Sequence, residues 1–209
     1  SSELSIRRNP SSKLTSAPLI LHGGTELDLQ QIKIDGHSIS SSNYKRTDDG
    51  LVIDHLPDSA VISIEVLIKP HLNTTMMGLY KSRTMYCTQC EAEGFRNITF
   101  YLDRPDVMSE FTTQLIADKK QFPVLLSNGN AFEQGELEDG RHFAIWHDPF
   151  KKPAYLFALV AGNLSVVEDR FTTCSNREIL LQIFVEQKDL NKCDHAMLSW
   201  KNSMRWDEQ

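Results

Sequence analysis

Hydrophobic and polar residues alternate along several short segments, most clearly at residues 61–68. Successive side chains of a β-strand point to opposite faces, so this period of two separates two sides of the segment. One side is apolar throughout: Ile62, Ile64, Val66 and Ile68. The other side is mixed: Val61, Ser63, Glu65 and Leu67. The pattern predicts a strand with one face on a core. Residues 155–161 are apolar without alternation and predict a central strand covered on both faces.

Turn signals separate the segments of this kind. Asp-Gly and Asn-Gly pairs tolerate the positive φ angles of tight hairpins, and they occur at 35–36, 49–50, 128–129 and 139–140. The predicted strands between the turns are 27–34, 51–56, 60–69, 83–93, 97–101, 110–118, 124–128, 141–147, 155–163 and 178–186. The body of the chain is therefore predicted to be all-β.

The last twenty residues have a different pattern. Ala196, Trp200 and Met204 recur at intervals of four, after a possible N-cap at Asp194. This spacing predicts a C-terminal helix with one apolar stripe.

Composition excludes several classes of function. The 209 residues are 40% hydrophobic and 24% charged, which is ordinary for a globular protein. A net charge of -6 opposes binding to nucleic acid, because an acidic surface repels a polyanion. No stretch reaches the roughly 18 apolar residues of a membrane span, so no membrane partner is expected. Four irregularly spaced cysteines indicate reduced thiols and a cytoplasmic location.

Several motifs occur in order along the chain: CTQCEAEGFR at 87–96, ITFYLDRPDVM at 98–108, PVLLSNGN at 123–130, YLFALVAG at 155–162 and KNSMRWDE at 201–208. Together they resemble the N-terminal domain of the aminopeptidase N family of gluzincin zinc metallopeptidases, in its bacterial cytosolic branch. The similarity extends from about residue 19 to the C-terminus.

The resemblance implies an N-terminal, saddle-like β-sandwich domain over residues 1–187, with its opening strands missing. Residues 188–209 would be the linker and first helix of a truncated catalytic domain. In this family the catalytic domain holds the zinc and removes amino acids from peptide N-termini. Its G-A-M-E-N and H-E-x-x-H motifs would follow Glu208. The isolated chain is therefore expected to be inactive and to bind no zinc.

The resemblance also assigns Gln89 and Glu91 to recognition of the substrate's free amino group. In an extended strand these two side chains share a face, where a carboxylate and an amide carbonyl can accept hydrogen bonds from an ammonium group. Without the family, the alternative is a solvated strand face. Glu93 has no such family role and is interpreted as structural.

Three other interpretations are weaker. Cys87 and Cys90 have a C-x-x-C spacing that could bind zinc or form a redox pair, but no second such motif exists, and buried thiols are the simpler interpretation. A stand-alone β-sandwich binding module would not explain the C-terminal helix. A glycoside hydrolase with Glu91 and Glu93 as its carboxylates would place both on one strand, although acid and nucleophile must flank the bond.

Overall fold

The computed structural model describes residues 1–12 and 17–209. In the first half of the chain the strands are β1 Ser2–Arg7, β2 Leu19–His22, β3 Asp28–Ile34, β4 His37–Ser38, β5 Tyr44–Thr47, β6 Gly50–Ile53, β7 Ser59–Leu67 and β8 Gly78–Ser82. In the second half they are β9 Met85–Gln89, β10 Ser109–Asp118, β11 Val124–Ser127, β12 Asn130–Glu136, β13 Arg141–Lys152, β14 Leu159–Gly162, β15 Ser165–Thr172 and β16 Glu178–Val185. A helix, α1, spans Cys193–Asp207. The predicted all-β fold with a C-terminal helix is confirmed.

Two antiparallel sheets form a sandwich in the first half of the chain. Their strand orders are β1-β7-β3-β4 and β2-β6-β5. Ile62 and Ile64 of β7 are buried at its centre, as the alternation along 61–68 predicts. Both sheets contribute to one core, which consists of Leu21, Leu27, Ile32, Leu51, Ile53, Ile62, Ile64 and Phe100. This shared core fixes the register of the sheets, because a slip of one residue would turn the apolar faces outward.

A second pair of sheets follows, with the orders β11-β14-β9-β8 and β10-β13-β12. The buried centre of this second pair of sheets consists of Leu115, Leu125 and Ala144. The indole Nε1 of Trp146 donates to the carbonyl oxygen of Leu125 at 3.1 Å and joins the two sheets. β14 lies between β11 and β9, which agrees with the prediction of a central strand within 155–161.

Aromatic residues fill the space between the two pairs of sheets. Phe95 makes edge contacts with Tyr101, Phe157 and Phe111 at centroid distances of 5.0, 5.1 and 5.9 Å. Such geometries add about 0.5–1.5 kcal/mol per pair beyond the area buried. Leu4 of β1 packs against both this cluster and the first core. The aromatic cluster therefore connects the two halves of the chain.

Several strand predictions are wrong. The segment 83–93 forms a strand only from Met85 to Gln89. The segment 97–101 forms no strand: it begins at the end of a 3₁₀ turn, Phe95–Asn97, and Tyr101 makes an isolated bridge with His22. The segment 155–163 starts with another 3₁₀ turn, Ala154–Leu156, before β14. In the last two segments apolar side chains, Phe100 and Phe157, are buried from irregular backbone beside these turns rather than from a strand. A short apolar run does not distinguish these two conformations.

Helix α1 uses a different apolar stripe from the predicted one. Its buried residues are Cys193 and Met197, and Met204 is half-buried. Ala196 and Trp200 are exposed. The possible N-cap is also wrong, because the helix begins at Cys193 and Asp194 lies in its first turn. The prediction followed intervals of four alone, whereas the buried face takes steps of four, four and three, from Cys193 through Met197 and Lys201 to Met204, as a 3.6-residue turn requires.

The buried face of α1 packs on the hairpin of β15 and β16. Met197 shares a core with Phe171 and Leu181, and Lys201 forms an ion pair with Asp169. The helix is therefore attached to the last hairpin of the β domain. The boundary at residue 187 stays a prediction.

Replacing Met197 with Ala should lower the free energy of unfolding by about 2–4 kcal/mol, because it leaves a cavity between α1 and the hairpin. The matched control is Leu198→Ala, since Leu198 is adjacent and 57% exposed. We expect this control to cost less than about 1 kcal/mol. Urea unfolding followed by circular dichroism measures both. Equal costs for the two variants would contradict the observed packing of α1.

Candidate functional site

The candidate site lies where β9 ends and a turn begins. Gln89 is the last residue of β9, and Glu91 is in the turn formed by residues 91–94. The prediction that Gln89 and Glu91 share a strand face is therefore wrong. Both candidate side chains are nevertheless exposed, on neighbouring parts of the surface.

The ladder on one side of β9 stops before Gln89. β14 pairs with β9 through Val160 opposite Cys87, and beyond this point the hydroxyl of Thr88 accepts the backbone N–H of Leu159 at 2.9 Å. On the other side, β8 still pairs with Gln89 through Gly78. The end of β9 is therefore fixed by contacts on both sides, whereas the residues after Gln89 pair with neither neighbouring strand.

Close backbone contacts shape the turn at residues 91–94. The N–H of Gly94 donates to the carbonyl oxygen of Cys90 at 2.8 Å. A Cβ at Gly94 would lie 2.3 Å from the carbonyl oxygen of Gln89 and 2.9 Å from the Cα of Cys90. These distances are far below van der Waals contact, so this path of the chain requires glycine. Cys90 and Phe95 are both buried and anchor the two ends of the turn.

A hydrogen bond orients the amide of Gln89. Its Nε2 donates to the backbone carbonyl oxygen of Glu91 at 3.1 Å. The side-chain oxygen Oε1 is the acceptor end of the same amide. Within residues 1–12 and 17–209, neither Oε1 of Gln89 nor the carboxylate of Glu91 has a hydrogen bond or an ion pair. Two acceptors, one of them charged, are therefore exposed to solvent at the end of β9 and in the adjoining turn.

Glu93 differs from Glu91 in its surroundings. Its Oε1 lies 3.3 Å from Nη2 of Arg96, which forms further contacts with Asp103. Glu93 is thus engaged within the turn, whereas the Glu91 carboxylate remains available to a ligand. Sequence reasoning missed both Arg96 and Asp103. A signal existed, since Asp103 directly follows the largely apolar segment 98–102, where a buried carboxylate needs a partner.

The cysteines of the C-x-x-C segment are free thiols. Cys90 is buried, and this burial, with a smaller effect of the Asp103 charge, raises its pKa to about 12. A thiol with so high a pKa is protonated at neutral pH and is a poor metal ligand. Cys87 is half-buried and hydrogen-bonds Tyr80, which raises the pKa of that phenol.

In the described part of the chain, no three His, Cys, Asp or Glu side chains are arranged to hold a metal ion. These residues therefore do not fit the three-ligand zinc site of a metallopeptidase. None of the helices that the structure describes is long and apolar enough to span a bilayer.

The family of the chain follows from comparison with known proteins. The family described as the peptidase M1 N-terminal domain matches residues 6–156. The chain belongs to this family.

Two curated relatives are bacterial proteins named aminopeptidase N. The one from Escherichia coli K12 is 50% identical over 195 residues, which are 93% of this chain and 22% of the relative. The one from Caulobacter vibrioides is 48% identical over 209 residues, which are 100% of this chain and 24% of the relative. The chain thus spans about a quarter of the length of these relatives.

A solved structure shares the fold along almost the whole chain. Aminopeptidase A of Legionella pneumophila, crystallised in complex with aspartic acid, superposes with a TM-score of 0.94 at 34% identity. The match covers 99% of this chain and 24% of that protein. The arrangement of sheets described above is therefore shared with this solved aminopeptidase.

Replacing Gly94 with Ala should destabilise the domain by about 3 kcal/mol, because the added methyl group meets fixed backbone atoms. Gly140→Ala is the control. Gly140 has a left-handed φ of +82°, but a methyl group added there would have no atom within 4 Å, so only the strain of about 1 kcal/mol applies. Urea unfolding compares the two. If Gly94→Ala costs no more than Gly140→Ala, the tight path of the turn is wrong.

Proposed function

We propose that the chain is the N-terminal domain of a zinc-dependent aminopeptidase and that Gln89 and Glu91 bind the α-ammonium group of the peptide substrate. The observation that carries this proposal is the exposed carboxylate of Glu91, which has no partner among the described residues, next to a Gln89 amide that donates to the Glu91 backbone carbonyl oxygen. The family membership and the identity of about half to bacterial proteins named aminopeptidase N support it.

The chemistry of the two acceptors suits an ammonium group. A substrate N-terminus has three N–H donors and a positive charge, and it has no acceptor. Glu91 supplies a charge-assisted hydrogen bond, which is about twice as strong as a neutral one. Gln89 supplies a neutral carbonyl acceptor whose direction is set by its own bond to Glu91. Together they would hold the first peptide bond of the substrate at a fixed distance from this surface.

Such an anchor explains how an exopeptidase selects chain ends. A peptide bond within a chain has no ammonium group beside it, so it would leave the Glu91 carboxylate without its partner. The Legionella protein was crystallised with aspartic acid, an amino acid that carries a free α-ammonium group. This supports a free amino terminus as the ligand of the whole enzyme.

The zinc would be held by a catalytic domain outside these 209 residues, where it would activate water for hydrolysis. This catalytic domain is the proposed partner of the chain. The outward side of α1 supports such a contact, because it presents Leu198 and Trp206, the latter 75% exposed. We propose a cytoplasmic location, which the free thiols support.

The first test replaces Glu91 with Gln in the full gene product. The shape is kept and the charge is lost, so kcat/KM for peptides should fall roughly 10- to 1000-fold, or about 1.4–4 kcal/mol at 1.36 kcal/mol per decade. Gln89→Ala should cost less, since a neutral contact is lost. Zinc content should be unchanged in both.

Glu138→Gln is the matched control for this experiment. Glu138 is also an exposed carboxylate, but it lies in the hairpin between β12 and β13. We expect wild-type kcat/KM for this variant. Wild-type kcat/KM in Glu91→Gln, or a loss of zinc, would contradict the role of Glu91 as amine anchor and favour a merely solvated side chain.

The isolated chain should hydrolyse no aminoacyl anilide and bind no stoichiometric zinc. The reason is that a catalytic zinc requires three protein ligands and an open position. Metal analysis of the purified chain, together with an activity assay, measures both. One zinc per chain, or turnover by the purified chain, would contradict the proposal that the zinc site and the hydrolytic activity belong to another domain.

A further inference from the structure

A buried carboxylate lies beneath the turn that carries Glu91. Oδ2 of Asp103 accepts two hydrogen bonds from Arg96, one from its backbone N–H at 3.1 Å and one from its side-chain Nε–H at 3.0 Å. Nη2 of Arg96 donates to the backbone carbonyl oxygen of Asp103 at 2.9 Å. Asp103 is only 4% exposed. A buried charge with this many directed donors holds its partner in one geometry, because any other arrangement leaves the charge unpaired.

The guanidinium of Arg96 also reaches the turn itself. Nη2 lies 3.3 Å from Oε1 of Glu93, two residues after Glu91. The carbonyl oxygen of Arg96 accepts the N–H of Gly24 at 3.0 Å, which ties this arginine to the first sandwich. The side chain of Arg96 thus connects the buried carboxylate of Asp103 with Glu93 in the exposed turn.

Glu91 needs such an external support. In the described residues its carboxylate has no partner, and its backbone carbonyl oxygen accepts only from the side chain of Gln89. The place of the carboxylate therefore depends on the conformation of residues 91–94. Binding groups must be held within about 0.5 Å of the productive geometry to be effective.

We infer that Asp103 and Arg96 are positioning residues: they fix the 91–94 turn so that the Glu91 carboxylate meets the substrate ammonium. This inference rests on the proposed function of Glu91. The competing account is that the ion pair only stabilises the fold, in which case its effect on activity would not depend on Glu91.

The test is a double-mutant cycle in the full gene product, with kcat/KM for an aminoacyl anilide as the readout. Asp103→Asn keeps an acceptor oxygen and removes the charge, and we expect kcat/KM to fall about 5- to 50-fold. In a Glu91→Gln background the same change should lower kcat/KM by less than about 2-fold. The same fold-change in both backgrounds would overturn the inference.

A second variant covers the case in which Asp103→Asn does not fold. Glu93→Gln weakens the outer contact of Arg96 at an exposed position and leaves the buried anchor intact. We expect a fall of about 2- to 10-fold in kcat/KM, again lost in the Glu91→Gln background. An unchanged kcat/KM in Glu93→Gln, or an effect that persists without Glu91, would overturn the inference.

Asp58→Asn is the control for the loss of an ion pair at the surface. Asp58 pairs with Arg8 at 3.3 Å, and its own side chain is 89% exposed, whereas that of Arg8 is 23% exposed, like that of Arg96. This pair lies at the β1–β7 end of the first sandwich, and the variant should keep wild-type kcat/KM. A fall comparable to that of Asp103→Asn would show that loss of an ion pair alone explains the result.

The two proposals fail in different ways. Suppose that Glu91→Gln lowers kcat/KM and that Asp103→Asn lowers it by the same factor in both backgrounds. The role of Glu91 as amine anchor is then retained, and the positioning role of Asp103 and Arg96 is wrong. If Glu91→Gln leaves kcat/KM unchanged, the proposed function itself is wrong, and the inference about Asp103 and Arg96 fails with it.

Discussion

The path of the backbone through the site depends on one steric constraint. A Cβ at Gly94 would lie 2.3 Å from the carbonyl oxygen of Gln89, so only glycine lets the chain fold back this closely after β9. The bond from the Gly94 N–H to Cys90 closes the turn, and burial of Cys90 and Phe95 holds its ends. The exposed positions of Gln89 and Glu91 follow from this closure.

The two sandwiches place this turn at their junction. Phe95 packs in the aromatic cluster between them, and Arg96 contacts Asp103 on one side and Gly24 on the other. Packed aromatic rings and a buried ion pair have few alternative arrangements, because protein interiors are as dense as organic crystals. The junction therefore provides a rigid base for the exposed side chains of Gln89 and Glu91.

The sequence predicts regular parts of this fold well. The alternation at 61–68 identifies the buried face of β7, and the Asp35-Gly36 pair forms the hairpin between β3 and β4 with positive φ at both residues. Both signals are local, since each depends on neighbouring residues alone. The motifs also lead to the correct family.

Less regular parts require tertiary contacts that the sequence does not reveal. The end of β9 at Gln89 depends on where β14 stops pairing and on the approach of Gly94. The buried face of α1 is set by the hairpin of β15 and β16, so Met197 is buried and Trp200 is exposed. The spacing of Gln89 and Glu91 predicted a shared strand face, whereas the turn that follows Gln89 takes Glu91 out of the strand.

The most direct test of the amine-anchor role is a crystal structure of the full gene product with a free amino acid bound. We expect the ligand's amine nitrogen to lie about 2.7–3.1 Å from a carboxylate oxygen of Glu91 and within hydrogen-bond distance of Oε1 of Gln89. An amine nitrogen that contacts neither side chain, or that is held by another acidic residue, would contradict this role.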